Sequence, residues 1–157
     1  MKRIKSALIS VSDKSNLKPL LETLKKNKIK LISSGGTFKT IRKLKYKCLE
    51  VSDFTDSKEI LSGRVKTLHP KIHAGILNIR SNKSHQKDLK INNFENIDLV
   101  IVNFYPFEKT LKQTKSHNKI IENIDIGGPT LVRAAAKNYN DVAIITSPNQ
   151  YPELINE

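Results

Sequence analysis

The hydrophobic and polar positions of this chain alternate in two different periods, and the switch between them predicts strands and helices in turn. Ala7-Leu8-Ile9-Ser10-Val11 is a short β-rich run bounded by polar residues. From Asn16 to Lys26, Leu17, Leu20, Leu21 and Leu24 recur at three- and four-residue spacing, the apolar stripe of one helix face. Ile29 to Ile32 predicts a second strand, Ser33 to Gly36 a loop, and Thr37 to Leu44 a helix turning Phe38, Ile41 and Leu44 inward. Cys48 to Val51 predicts a third strand. Leu99-Val100-Ile101-Val102 and Val142-Ala143-Ile144-Ile145 are unbroken apolar runs, as strands covered on both faces require. Gly127-Gly128-Pro129 reads as a sharp turn that places proline in the first turn of a helix continuing through Leu131 to Ala136. Ser81 to Lys90 is polar enough to predict a mobile surface excursion, and Tyr151 to Glu157 reads as the start of a helix. Strands alternating with helices predict an α/β fold with a mostly parallel, Rossmann-like sheet and helices on both faces.

Composition narrows the class. A chain of 157 residues, 38% hydrophobic, fits one domain spanning residues 1–157. No apolar run is long enough to span a membrane, and Met1-Lys2-Arg3-Ile4-Lys5 leads into a strand-like stretch rather than a signal-peptide core. One cysteine, Cys48, excludes an intramolecular disulfide framework, and with four scattered histidines it gives no zinc-ligand spacing. A cytoplasmic, metal-free protein is the expectation. The net charge of +13 is uneven: residues 1–50 carry 14 Lys/Arg against 3 Asp/Glu, residues 101–157 carry 6 against 6. Most of these cations are lysines accompanied by Ile and Asn, the bias of an A+T-rich coding sequence, and no aromatic-interleaved basic strand or recognition helix appears. The expectation is no specific nucleic-acid partner, with a field that favours anionic metabolites.

In parallel sheets ligands gather beyond the carboxyl ends of the strands, and the loops of unusual composition fall there. Ser33-Ser34-Gly35-Gly36-Thr37 combines hydroxyls with glycines that let backbone N–H groups approach an anion at a helix start. A Gly-Gly loop with a Ser or Thr cap also makes any ordinary strand-to-helix turn. Ser12-Asp13-Lys14 follows the first strand and adds a cation beside it. Gly63-Arg64-Val65-Lys66-Thr67-Leu68-His69-Pro70 concentrates cations and a hydroxyl where no period requires them, a pattern that suits a phosphorylated, carbonyl-rich ligand. The bland reading is an exposed basic loop. Pro70 argues against a helix running through the segment, so structural roles are expected for His69 and His73. Lys137, one helical turn after Arg133, is expected to project toward the loop holding Asp125, although cations near a helix C-terminus also simply complement its dipole.

Taken in order, Ser12-Asp13-Lys14, Ser33-Ser34-Gly35-Gly36-Thr37, Gly63 to Pro70, Asn103-Phe104-Tyr105-Pro106-Phe107 and Ile124-Asp125-Ile126-Gly127-Gly128-Pro129 followed by Arg133 and Lys137 resemble the IMP cyclohydrolase domain of the bifunctional enzyme that completes purine biosynthesis. The resemblance runs from near the N-terminus to about Ser147. It implies the methylglyoxal synthase-like fold, no cofactor, and closure of the second purine ring of 5-formamidoimidazole-4-carboxamide ribotide with loss of water. By the same resemblance Lys66, Tyr105, Asp125 and Lys137 are the expected catalytic residues. Ser12, Lys14, Ser34, Gly36 and Thr37 would hold the 5′-phosphate, while Arg64, Thr67, Asn103, Ile126 and Gly127 would meet the rest of the ribotide. A homodimer and a covalently linked formyltransferase domain are implied partners, and the chain is expected to be a fragment of a longer protein. Two relatives of the same fold stay open beside this reading, a nucleotide-binding regulatory module and methylglyoxal synthase, because either could share the phosphate loops.

Overall fold

Ala7, Leu8 and Ile9 are completely buried because the first strand becomes the middle of a sheet flanked on both sides and covered on both faces. The computed structural model describes residues 3–156; Met1, Lys2 and Glu157, the last residue of the predicted terminal helix, lie outside the described residues. In chain order the elements are β1 (Ser6–Val11), α1 (Leu17–Lys26), β2 (Lys30–Ser33), α2 (Gly35–Lys43), β3 (Leu49–Glu50), α3 (Val51–Thr55), α4 (Pro70–Leu77), α5 (Lys83–Ile91), β4 (Leu99–Asn103), α6 (Phe107–Gln113), α7 (His117–Glu122), α8 (Gly127–Lys137), β5 (Ala143–Ile145) and α9 (Tyr151–Asn156). The strands form one five-stranded sheet in the order β3-β2-β1-β4-β5, and every pairing is parallel.

Alternate residues of the strands supply the two cores. Ala7, Ile9, Val11, Leu31, Leu99 and Ile101 pack with the α1 leucines, Ile41 and Tyr151 on one face. Leu8, Ile32, Val100 and Val102 pack with Ile72, Ile76, Leu131 and Ala135 on the other. The four leucines predicted to form the α1 stripe are all buried, and each contributes about 1.5–3 kcal/mol on leaving water.

Two predicted segments came out differently. Ser81 to Lys90 is not a loose excursion: α5 starts at Lys83 behind an Asn82 cap that accepts from the Ser84 and His85 backbone N–H groups, and it buries Leu89. A single buried leucine in a polar run left no period to read. No helix runs through Pro70, as expected: α4 starts there, with His69 outside it as its cap through a 3.1 Å bond from the Lys71 N–H to Nδ1. Val142 to Ile145 is not covered on both faces, because β5 lies at the sheet edge with Ala143 exposed and Ile144 and Ile145 half-buried.

The chain winds outward from β1 through β2 to β3, then crosses back to place β4 on the other side of β1. This reversal opens a crevice between the carboxyl ends of β1 and β4, where Val11 pairs with Asn103.

Candidate functional site

Three loops and a helix start meet at that crevice. Asn103, the last residue of β4, fastens the first loop: its side-chain oxygen accepts from the Ser12 and Asp13 N–H groups at 2.7 and 2.8 Å, and its amide nitrogen donates to the Asp13 carbonyl at 2.9 Å. Lys14 folds back so that its ammonium donates to the Val11 and Ser12 carbonyls at 3.3 and 3.1 Å.

The second loop is shorter than its sequence suggests, because α2 already begins at Gly35. Ser34 occupies the cap position in extended backbone, yet its side chain makes no capping bond, and the first helical bond comes only with the Phe38 N–H to the Ser34 carbonyl. The N–H groups opening α2 are therefore left for a ligand, with the positive end of the helix dipole behind them. Gly35 is required here by its φ of +54°. The Thr37 hydroxyl is committed to the fold: it donates to the Val11 carbonyl at 2.9 Å and accepts from the Val11 N–H at 3.1 Å.

The third loop, before α4, is a tight reversal closed by an antiparallel bridge between Ile60 and Val65. Leu61 and Ser62 adopt positive φ, 53° and 54°, without being glycine, a cost tolerated where a loop must aim particular side chains. It aims Arg64 at Glu122, Lys66 across Gly63 and Gly35, and Thr67 at Gly127. A β-carbon on Gly35 would lie 3.4 Å from Lys66 Nζ, and one on Gly127 would lie 2.8 Å from Thr67 Oγ1. Lys66 Nζ is also 3.7 Å from Glu59 Oε2. Asp125 sits before α8, where Oδ1 accepts the Gly128 N–H at 2.9 Å and closes the helix start.

Together these parts line a cavity of about 650 Å³. Every residue given a catalytic or ligand-binding role in the sequence lines it except Lys137. Ser12, Lys14, Ser34, Gly36 and Thr37 form one flank, while Arg64, Lys66, Thr67, Asn103, Tyr105, Asp125, Ile126 and Gly127 form the rest. Lys137 is the correction. It is exposed at the C-terminal end of α8, an 11-residue helix whose other end meets the cavity, so its backbone is about 15 Å away along the axis. Neither Arg133 nor Lys137 lines the cavity, because the Asp125 loop precedes the helix instead of flanking it. The sequence also missed Ser62, Ile121 and Glu122, which line the cavity too. Glu122 carries no local signal, as it becomes a site residue only through its contact with Arg64, 58 positions earlier.

A wider depression of about 1430 Å³ lies at the opposite ends of the strands, bordered by Arg80, Glu95 and Asp98. Arg80 is paired there with Asp98 and Lys30 with Glu95, and among the described residues no glycine lines it.

The family model described as the MGS-like domain matches residues 16–130. The chain belongs to the MGS-like domain family. The chain is 52% identical over 152 residues to the bifunctional purine biosynthesis protein PurH of Prochlorococcus marinus strain MIT 9301, covering 96% of this chain and 29% of that protein. Against PurH of Acetivibrio thermocellus it is 52% identical over 155 residues, covering 98% of this chain and 30% of that protein. The chain thus spans about three-tenths of the length of these relatives. Their name, a purine biosynthesis protein, agrees with the resemblance carried by the loops. A solved structure described as the crystal structure of ForH superimposes with a TM-score of 0.84 at 29% identity, covering 98% of this chain and 78% of that one.

Proposed function

We propose that this MGS-like domain is an IMP cyclohydrolase, which closes the pyrimidine ring of 5-formamidoimidazole-4-carboxamide ribotide to give IMP. The observation that carries the reading is the meeting, in one 650 Å³ cavity, of an uncapped helix start with Lys14 on one flank and Lys66, Tyr105 and Asp125 beside it. In the reaction the carboxamide nitrogen attacks the formyl carbon, and the formyl oxygen leaves as water after taking up two protons. An amide nitrogen is a poor nucleophile, so the reaction needs a base near its N–H, donors at the developing oxyanion, and a fixed conformation.

Asp125 is suited to take the carboxamide proton, since its Oδ1 is anchored on Gly128 and Oδ2 remains for the ligand. Lys66 and Tyr105 are suited to donate to the formyl oxygen. The α2 N–H groups, the Ser12 and Ser34 hydroxyls and Lys14 hold the 5′-phosphate, with Thr37 contributing its N–H because its hydroxyl is spent. Arg64, Thr67, Ile126 and Gly127 border the heterocycle, while Asn103 acts by shaping the Ser12–Asp13 turn. Lys137 has no part in this single-chain account. The same reading carries a cytoplasmic setting, a homodimer and a formyltransferase domain elsewhere in the full-length protein. Exposed Phe104, Tyr105, Ile121, Ile124 and Ile126 around the cavity mouth support a partner surface there. Among the described residues no helix is long and apolar enough to cross a membrane.

The test is an absorbance assay for IMP formation from the formylated ribotide, paired with calorimetry of IMP and inosine. Ring closure together with far weaker inosine binding is expected. Equal affinity for inosine and IMP removes the phosphate site, and nucleotide binding with no turnover in this chain or in the full-length protein favours a regulatory module.

A further inference from the structure

The charges around the cavity are not evenly spread. At the phosphate flank, Lys14 rests its ammonium on backbone carbonyls and the α2 N–H groups are open, so positive potential there is available to a ligand. At the other rim, Arg64 is already occupied. Its guanidinium grips Glu122 through two bonds, NH2 to Oε1 and Nε to Oε2, the latter 3.3 Å long. Glu122 ends α7, and neither α6 nor α7 buries a residue, so no core packing fixes that carboxylate. The grip of Arg64 holds it at the mouth. The hydrogen bond from Arg64 also keeps the Glu122 carboxyl below the usual carboxylate range, so it stays ionised at neutral pH.

We infer that Glu122 sets the charge selectivity of this site: by neutralising Arg64 across the mouth, it admits ligands whose heterocyclic end is uncharged and disfavours those carrying a carboxylate there. The inference rests on the ribotide reading above and adds to it a positioning and specificity residue. Asp125 works in the same direction. A carboxylate on the imidazole would face Glu122 and Asp125 with only a compensated arginine for attraction, whereas a carboxamide meets acceptors for its N–H groups. The phosphate is unaffected, because its cradle is built from other elements. Both partners of the pair are exposed, 59% and 58%, so the selectivity is moderate and salt-sensitive.

The experiment compares two probes that differ only at this group, 5-aminoimidazole-4-carboxamide ribotide and its 4-carboxylate counterpart, by calorimetry on the parent chain, Glu122→Gln and Glu122→Asp. The parent is expected to prefer the carboxamide. Glu122→Gln should reduce that preference roughly two- to fivefold, chiefly by tightening the carboxylate, and Glu122→Asp, which keeps the charge, should restore most of it. A merely structural role for Glu122 would weaken both ribotides alike. If both bind and the ratio is the same in parent and Glu122→Gln, or if Glu122→Asp behaves as Glu122→Gln does, the inference is overturned while the ribotide reading survives. Failure of both probes to bind the parent overturns the ribotide reading and this inference with it.

Discussion

Replacing Gly128 with alanine moves the proposed base while leaving the fold in place. Gly128 is buried in the first turn of α8, and a β-carbon there would lie 2.6 Å from Asp125 Oδ2 and 2.9 Å from Phe104 Cδ1. Ordinary contact begins at 3.4 Å, so the carboxylate must retreat by about 3.4 − 2.6 = 0.8 Å and the ring by about 3.4 − 2.9 = 0.5 Å. Both obstacles are side chains, and neither requires the backbone to shift. For stability the effects oppose: alanine gains about 1 kcal/mol of helix propensity, while an off-rotamer Asp125 and a weakened bond to the Gly128 N–H cost about 1–2 kcal/mol together. The melting temperature should therefore change by only a few degrees. For turnover the effects do not cancel, because a reacting group misplaced by roughly 1 Å costs up to about a hundredfold. We expect kcat for ring closure, followed by absorbance, to fall roughly ten- to a hundredfold, with IMP affinity by calorimetry within a few-fold of the parent. Asp125→Asn, which keeps the acceptor on Gly128 but not the base, should lose about 10² to 10⁴ in kcat with a near-parental melting temperature. A Gly128→Ala enzyme with parental kcat would refute the placement of Asp125 at the reacting nitrogen, and one unfolded at the assay temperature would refute the claim that the fold stays in place.

Other outcomes follow from single residues. Lys14→Ala should raise the dissociation constant for IMP but not for inosine, and the difference should shrink between 50 mM and 500 mM salt as screening grows; an unchanged IMP affinity would remove Lys14 from the cradle. Gly75→Ala drives a β-carbon to 2.6 Å from the Glu95 carbonyl oxygen and 3.2 Å from Ile97 Cγ1. Backbone cannot retreat as a side chain can, so overpacking of about 1–3 kcal/mol, less about 1 for propensity, leaves a net cost of up to about 2 kcal/mol and should lower the melting temperature by up to about 8 °C. His73 is pushed below its usual value by burial, against an opposing bond to the Thr67 backbone, and its Nε2 is buried without a partner. An unfolded histidine titrates near 6.5, so between the folded value and about 6.5 the unfolded chain binds more protons, and stability that is complete above that window is lost as pH falls through it. Urea midpoints at pH 7.5 and 5.0 should differ more for the parent than for His73→Phe, and equal differences would dismiss the effect.

What could be read in the sequence was whatever repeats or clusters locally. The α1 leucines and the apolar strands announce themselves by period, and the parallel sheet follows from their alternation, so the crevice at the β1–β4 reversal was within reach before any atom was placed. The cavity loops were legible for a different reason: Ser-Gly-Gly-Thr, Arg-Val-Lys-Thr and Asp-Ile-Gly-Gly are each compact, and no regular element demands them. What escaped depends on distance in three dimensions. Nothing near Glu122 marks it, because its role exists only when the excursion holding α7 meets the strained loop of Arg64. The Asn103 and Thr37 side chains looked like ligand contacts and are spent on the backbone of neighbouring loops, an exchange that a list of polar residues cannot show. Lys137 lies outside the cavity lining for the opposite reason: a helix carries a motif along its axis, and ten residues after Gly127 the chain has left the cavity, however close the two stand in sequence. A part for Lys137 in ring closure would therefore have to be played in a partner chain's cavity, which the proposed homodimer allows. Mixing an inactive Asp125→Asn chain with an inactive Lys137→Ala chain should then recover activity through mixed assemblies, whereas full activity of Lys137→Ala alone would retire the residue from the mechanism.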